Sequence, residues 1–186
     1  LPAAFFAGNR AMLMEKIKAL GPGTLAVVKS MPEQPRNGDG DHAYRQDSDF
    51  YYLTGVEEAG AIALLEAGSD KPFTLLVRPR DPKREAWNGP RLGVEGAKKM
   101  GADQALDFPE ADRVLEEGLS KAQRVVLISN FDEPFRKRVL DAMYPAKAAR
   151  NYRMPTFVAS MKFTSLCSIA RFVNLCLHIL RQNRRI

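Results

Sequence analysis

Short apolar runs alternate with amphipathic segments along most of this chain, and that alternation constrains the fold more than any other feature. Apolar runs of strand length occupy residues 24–29, 61–66, 73–77 and 124–129, and turn-forming or polar residues bound each of them. Elsewhere, apolar side chains recur at helical spacing, which is typical of helices packed on one face. Strands and helices that intermix in this way through residue 150 predict an α/β domain with a mixed β-sheet flanked by helices.

Turn residues mark the limits of several elements. The first helix ends at the Gly-Pro-Gly sequence of residues 21–23. The runs at 61–66 and 73–77 are separated by a four-residue turn sequence, so we expect a hairpin. Residues 31–43 and the charged, Pro-containing residues 78–90 are predicted to be loops. Further elements are predicted as a helix over 94–100, a strand over 105–107, and helices that begin near Glu110 and after Asp132.

The C-terminal part of the chain has a different pattern. Residues 157–181 follow one long helical pattern, which the sequence Asn-Tyr-Arg-Met-Pro-Thr at 151–156 separates from the mixed region. We therefore predict a first domain over residues 1–152 and a C-terminal helical extension over residues 153–186.

Charge is divided unevenly between these two parts. Residues 1–141 hold 20 Lys and Arg against 22 Asp and Glu, whereas residues 142–186 hold eight basic residues and no acidic one. A basic tail is compatible with nucleic acid or an anionic membrane, but here its basic residues do not alternate with aromatics as in nucleic-acid-binding modules. The apolar stretch at 166–180 is interrupted by Arg171, Asn174 and His178 and is too short to span a bilayer. We expect neither a nucleic-acid nor a membrane partner.

The compartment is predicted from the cysteines and the N-terminus. Cys167 and Cys176 are poorly spaced for a disulfide on one helix, and the first residues lack the basic and apolar regions of a signal peptide. Both features favour the reducing cytoplasm.

Residues suited to catalysis are sparse. The two histidines, His42 and His178, lie far apart in the sequence, and the local cluster of Asp39, Asp41 and His42 has no recognisable second group of ligands. The sequence contains no Gly-x-Ser-x-Gly elbow, no Cys beside a His and no phosphate-binding loop between a strand and a helix. We therefore predict no catalytic and no metal-binding residue in this chain.

Residues 44–55, Tyr-Arg-Gln-Asp-Ser-Asp-Phe-Tyr-Tyr-Leu-Thr-Gly, are the most distinctive stretch. One interpretation is a turn that leads into an aromatic-rich strand ending at Gly55. The other is a rigid polar corner from Arg45 to Asp49, supported by the neighbouring aromatics. A second distinctive residue is Trp87, the only tryptophan, which lies in a polar segment. It is either a half-buried anchor or part of a cleft or interface, where Trp concentrates binding energy.

These stretches together resemble the N-terminal domain of the Xaa-Pro aminopeptidase (aminopeptidase P) family, within the prolidase and creatinase superfamily. The resemblance covers roughly residues 5–145. Its motifs, in order, are Asn9-Arg10, residues 44–50 and 52–55, Arg80-Asp81, residues 85–89 (Glu-Ala-Trp-Asn-Gly), residues 91–93 (Arg-Leu-Gly) and residues 101–103 (Gly-Ala-Asp).

The resemblance implies a ribonuclease-H-like N-terminal domain that does not itself catalyse. In the family, a separate C-terminal domain holds two metal ions, typically manganese, and removes an N-terminal residue that precedes proline. The N-terminal domain builds the oligomer and narrows access to the active site. The residues expected at the substrate entrance or at an interface are Trp87, Arg45, Ser48, Asp49, Tyr52 and Arg91.

The tail departs from the family pattern. In the family, a Lys-Ser-Pro turn is followed by a Glu on the first helix of the catalytic domain. This sequence has Leu166 at the position of that proline and Ser168 at the position of that glutamate. No metal ligand can be assigned by resemblance, so we expect the chain to bind no cofactor and to be inactive alone. The tail is open to interpretation as a divergent linker helix, a truncated fragment or out-of-frame sequence.

Two functions follow. The first is the non-catalytic domain of an Xaa-Pro aminopeptidase, whose partners are a catalytic domain of the same polypeptide or other subunits in a homo-oligomer. The alternative is a stand-alone binding or regulatory module of the same fold. With the first function, apolar tail residues that would otherwise pack on the catalytic domain favour self-association.

Overall fold

A mixed six-stranded sheet organises the structure. The computed structural model describes residues 1–38, 40–108, 110–128 and 133–143, together with the backbone of residues 156–158. In chain order the elements are α1 (Ala3–Leu20), β1 (Thr24–Lys29), β2 (Pro35–Asn37), β3 (Gly40–Asp41), α2 (Ser48–Thr54), β4 (Ile62–Glu66), β5 (Phe73–Val77), α3 (Pro82–Asn88), α4 (Gly93–Lys99), β6 (Gln104–Asp107), α5 (Glu110–Lys121), β7 (Arg124–Ile128), α6 (Glu133–Met143) and β8 (Thr156–Val158).

The strand order in the sheet is β6-β5-β4-β1-β7-β8, and β2 and β3 form a separate two-stranded ribbon. Strand β1 pairs with β4 in antiparallel orientation, with Val27 opposite Leu64, and with β7 in parallel orientation, with Val27 opposite Leu127. Strands β4 and β5 form the predicted antiparallel hairpin, whereas β5–β6 and β7–β8 are parallel pairs. The predicted α/β class with a mixed sheet is confirmed.

Each face of the sheet carries its own hydrophobic core. Because successive side chains of a strand point to opposite faces, Ala26 and Val28 of β1 join one core and Leu25 and Val27 join the other. The first core is closed by α1, α2 and α4, and the second by α5 and α6. A central strand that is buried on both faces explains why residues 24–28 read as an uninterrupted apolar run.

Helix α2 is held by two polar side chains of α1. Asn9 Nδ2 donates to the carbonyl oxygen of Tyr52 at 2.8 Å, and Arg10 Nη1 donates to that of Leu53 at 2.9 Å. These carbonyl groups belong to the last turn of α2, where carbonyl oxygens have no hydrogen-bond partners within the helix. Asn9 and Arg10 are only 4% and 8% exposed, so α1 supplies buried capping groups for α2.

The buried guanidinium of Arg10 also reaches the sheet. It lies over the ring of Phe73 in β5, 4.2 Å from the ring centroid. Burial lowers the pKa of Arg10, and the negative charge of Asp103 acts in the opposite direction. The same carboxylate accepts the backbone amide of Phe73 at 2.9 Å, so one cluster joins α1, α2, β5 and the start of β6.

Four segments differ from the sequence-based expectations. Residues 31–43, predicted to be a loop, contain the paired strands β2 and β3. Residues 48–54 form a helix and not a strand, and residues 82–88, predicted to be a loop, form helix α3. Residues 157 and 158 lie in β8, whereas the pattern predicted a helix from residue 157. The remainder of the predicted C-terminal helical extension lies outside the described residues, and the domain boundary at 152/153 stays a prediction.

Gly55 allows α2 to end against α1. It has a φ of +70°, and a Cβ atom at this position would lie 2.6 Å from Cε2 of Phe6. Glycine is therefore required both for the left-handed backbone and for the contact with the Phe6 ring.

Replacing Gly55 with alanine should lower the free energy of unfolding by roughly 3 kcal/mol, because backbone strain and overpacking add. Urea denaturation of the chain followed by circular dichroism measures this. The control is Gly68→Ala, since Gly68 has a φ of +88° but no atom within 4 Å of the added Cβ. Equal losses in the two variants would show that the Phe6 contact contributes nothing.

Candidate functional site

The segment before α2 is a rigid corner centred on Gln46. Its Oε1 accepts the backbone amides of Met31 at 2.9 Å and Asp47 at 2.8 Å. Its Nε2 donates to the carbonyl oxygens of Val56 at 3.0 Å and Glu58 at 3.1 Å. One side-chain amide thus uses both its donors and its acceptor to join the loop after β1, the start of α2 and the segment after α2.

Helix α2 begins directly after this corner. Asp47 is the N-cap residue, and its Oδ1 accepts the amide of Phe50 at 2.8 Å. Phe50 and Leu53 are fully buried in the core beneath, while Gly55 ends the helix in the left-handed conformation. The strand interpretation of residues 44–55 is wrong, because the aromatics lie on helix α2. A polar corner does precede this helix, but the contacts that hold it are those of Gln46 and not of the aromatics.

The predicted site residues of this segment occupy different environments. Arg45 and Ser48 are exposed, whereas Asp49 is 5% exposed in the first turn of α2. Tyr52 is half-buried, and its ring meets that of Phe5 edge-on at 5.9 Å between centroids. Arg45 and Ser48 are therefore accessible to a partner, while Asp49 and Tyr52 are mainly part of the packing around α2.

A depression of about 300 Å³ lies between this corner and the loop after β1. Arg45, Gln46 and Ser48 line one side of it. Tyr44 closes one end, where its hydroxyl donates to the carbonyl oxygen of Met31 at 3.0 Å. Burial raises the pKa of Tyr44 to about 12, so this hydroxyl stays a hydrogen-bond donor at physiological pH.

Trp87 lies on α3 and is 90% exposed, the most exposed of the large hydrophobic side chains among the described residues. Helix α3 begins with strong local signals. Asp81 is its N-cap, with Oδ1 accepting the amides of Lys83 at 3.1 Å and Arg84 at 3.3 Å, and Pro82 lies in the first turn. Helix formation therefore fixes Trp87 on the outer surface of a short, well-capped helix.

Acidic and basic side chains hold the segments around α3 in place. Glu58 accepts the Nε of Arg78 at 3.2 Å and the backbone amide of Leu92 at 2.8 Å. Arg78 also pairs with Glu33 through its Nη1 at 2.8 Å. Arg91 Nη1 donates to the carbonyl oxygen of Pro79 at 3.0 Å. The loop after β1, the end of β5 and the start of α4 are thus joined beside Trp87.

A second, open depression of about 500 Å³ lies at this place. Its lining residues are Glu33, Arg78, Lys83, Arg84, Trp87, Asn88 and Arg91. The structure therefore brings Trp87 and Arg91 together in one depression, and their role at a substrate entrance or interface stays a prediction. Arg45 and Ser48 line the other depression, and residues 31–34 contribute to both. Asp49 and Tyr52 line neither of these two.

Sequence reasoning did not single out the residues that shape this surface. Gln46 and Glu58 act through backbone groups up to 34 positions away, which no local pattern reveals. Arg78 was visible only as one charge within a segment predicted to be a loop. Only Gln46 could have been singled out from the sequence, because it lies inside the distinctive stretch at 44–55.

No metal-binding group of three or more His, Cys, Asp or Glu occurs among the described residues. His42 is exposed, and His178 lies outside the described residues. Within the same part of the chain, no helix is both long and apolar enough to cross a membrane.

The fold and this surface define an α/β domain that presents an exposed tryptophan beside ordered arginines. Residues 6–127 match the family described as aminopeptidase P, N-terminal domain, and the chain belongs to that family. The resemblance stated from the sequence is thereby confirmed.

The relatives are longer proteins. The chain is 38% identical over 113 residues to Xaa-Pro aminopeptidase of Escherichia coli, a match that covers 59% of this chain and 25% of that protein. The structure of Pseudomonas aeruginosa aminopeptidase PepP matches with a TM-score of 0.77 and 33% identity over 87% of this chain and 37% of that one. Zinc-substituted E. coli aminopeptidase P in complex with product matches with a TM-score of 0.74 and 28% identity, covering 89% of this chain and 38% of that one. The chain thus corresponds to the N-terminal part of these relatives and spans about a quarter of the length of the curated one.

Replacing Gln46 with alanine should lower the free energy of unfolding by roughly 3 kcal/mol, because it leaves several partly buried backbone groups without partners. Chemical denaturation measures the loss. Gln34→Ala is the matched control, since it removes the same group from an exposed side chain. Equal stability of the two variants would contradict the central role of Gln46.

Proposed function

We propose that this chain serves as the non-catalytic N-terminal domain of an Xaa-Pro aminopeptidase, where it controls substrate access and supports oligomerisation. The match to the aminopeptidase P N-terminal family supports the assignment to this class of enzyme. Removal of the residue before proline, and the two manganese ions expected for that reaction, belong in this proposal to a catalytic domain of the same polypeptide or of another subunit.

The exposure of Trp87 is the observation that carries the access role. An indole that is 90% exposed gains almost nothing from folding, since burial of apolar surface is what stabilises a folded chain. The backbone that carries it is held in place, because Asp81 caps the helix and the neighbouring Arg78 is paired with Glu33 and Glu58. Binding hot spots are enriched in Trp and Arg, the two residue types that occur together at this place.

Arg91 and Arg45 have supporting roles in the same proposal. Arg91 lies in the depression with Trp87 and forms the wall of the entrance. Arg45 and Ser48 line the adjacent depression and provide a polar surface for the catalytic domain or another subunit. Asp49 and Tyr52 maintain the helix from which this surface projects.

A chimera tests the access role. The chain replaces the matched N-terminal part of E. coli Xaa-Pro aminopeptidase, and hydrolysis of Xaa-Pro peptides is measured with added manganese. The chimera should be active, and Trp87→Ala should raise KM about tenfold with kcat nearly unchanged, because Trp87 contacts the substrate away from the reacting bond. Met12→Ala, which truncates a 49% exposed side chain on α1, is the control.

The chain by itself should not hydrolyse the same peptides with manganese, with the E. coli enzyme as the positive control. Hydrolysis by the isolated chain would overturn its assignment as non-catalytic. An active chimera in which Trp87→Ala leaves KM unchanged would remove the access role. An inactive but folded chimera would instead support the alternative of a stand-alone binding module.

Self-association is the second part of the proposal. The chain should sediment and scatter light as a dimer or larger species whose mass rises with concentration. Trp87→Ala should leave that mass unchanged, because the proposal keeps Trp87 open to substrate. A strictly monomeric chain over the accessible concentration range would contradict the oligomeric role.

A further inference from the structure

The depression around Trp87 has a marked excess of positive charge. Four of its seven lining residues are basic (Arg78, Lys83, Arg84 and Arg91) and one, Glu33, is acidic. Glu33 is paired with Arg78, which also pairs with Glu58. Neither Glu33 nor Glu58 pairs with the other three cations beside the indole, Lys83, Arg84 and Arg91.

Those three cations have little compensation from acidic groups. Arg91 donates to a backbone carbonyl, which carries no net charge. Arg84 Nε pairs with Oδ2 of Asp81 at 3.5 Å, but both side chains are exposed to solvent, so this pair compensates the charge of Arg84 only weakly. Lys83 forms no salt bridge with any of the described residues. An anionic ligand would thus find available charge here.

The cations and the indole share one surface. Lys83 and Arg84 precede Trp87 by four and three positions on α3, the spacing at which helical side chains are neighbours. A ligand that contacts the indole therefore lies within reach of both cations. The depression holds about 500 Å³, enough for a few residues of an extended peptide.

Peptide fits this surface better than nucleic acid does. A nucleic-acid-binding domain carries a general excess of basic residues along its surface, whereas residues 1–141 contain slightly more acidic than basic residues. Asp81, Glu85 and Glu33 also lie around α3, where they would repel a continuous phosphate backbone. A peptide that carries separate carboxylates between apolar groups fits a local cluster of three cations beside one indole.

We infer that the Trp87 depression binds carboxylate-bearing peptide, so that substrates with acidic residues following the proline are preferred. The apolar part of the peptide contacts the indole, while its carboxylates pair with Lys83, Arg84 and Arg91. This inference rests on the proposed function for the identity of the peptide as a substrate, and it adds the class of sequence that is selected.

The chain contains its own probe, since Trp87 is the only tryptophan. Its fluorescence is followed while the full chain, kept dilute enough to be monomeric by light scattering, is titrated with Ala-Pro-Glu-Leu-Glu, Ala-Pro-Gln-Leu-Gln or a single-stranded oligonucleotide. The acidic peptide should bind roughly fivefold more tightly than the glutamine peptide, and added salt should remove the difference.

Charge-neutral variants identify the cations. Lys83→Gln combined with Arg84→Gln should abolish the preference for the acidic peptide while leaving binding of the glutamine peptide unchanged. Lys98→Gln combined with Lys99→Gln makes the same change in net charge on α4, away from the depression, and should preserve the preference. Circular dichroism verifies that each variant is folded.

Several outcomes would overturn the inference. These are equal affinity for the two peptides, loss of the preference in the α4 variant as well, tighter binding of the oligonucleotide, or no fluorescence response to any ligand. Each leaves the proposed function standing if Trp87→Ala still raises KM in the chimera. Conversely, a preference for the acidic peptide in an inactive chimera would retain the binding site and remove its role in the peptidase.

Discussion

The buried guanidinium of Arg10 is the interaction on which the rest of this structure depends. It donates to the last turn of α2, lies over Phe73 of β5 and shares the neighbourhood of Asp103 at the start of β6. A charge buried in this way is costly unless its partners are placed correctly, and removal of any one partner leaves the others uncompensated. Arg10 therefore links the position of α2 to the pairing of β5 and β6.

The segments that form the two surface depressions are held in place through that core. Because α2 is fixed, Gln46 can bind backbone groups on both sides of it and hold the loop after β1. That loop contains Glu33, which pairs with Arg78, and Arg78 pairs in turn with Glu58 next to Leu92. A chain of polar contacts thus runs from the corner at residues 44–49 to the surround of Trp87, and the surface is preorganised at both ends.

The sheet was predictable from the sequence, whereas the irregular segments were predictable only in part. Apolar runs such as residues 24–28 report burial on both faces directly. At α2, the aromatic residues favoured a strand, but the cap at Asp47 and the left-handed Gly55 determine a helix between them. The start of helix α3 is marked by a cap residue and a proline, but the high charge of this segment favoured the prediction of a loop. The contacts of Gln46 and Glu58 depend on chain segments that the sheet brings together. Local sequence patterns do not predict such contacts.

Gly55 and Trp87 differ in whether packing within the described residues explains them. Gly55 has the left-handed backbone that glycine favours at the end of a helix, and it packs closely against Phe6. Trp87 places a large apolar surface in water, and no packing among the described residues compensates for it. A large apolar side chain that folding leaves exposed is available to a ligand or a partner. Three poorly compensated cations line the same depression as Trp87, and we therefore propose that the indole and these charges form one recognition surface.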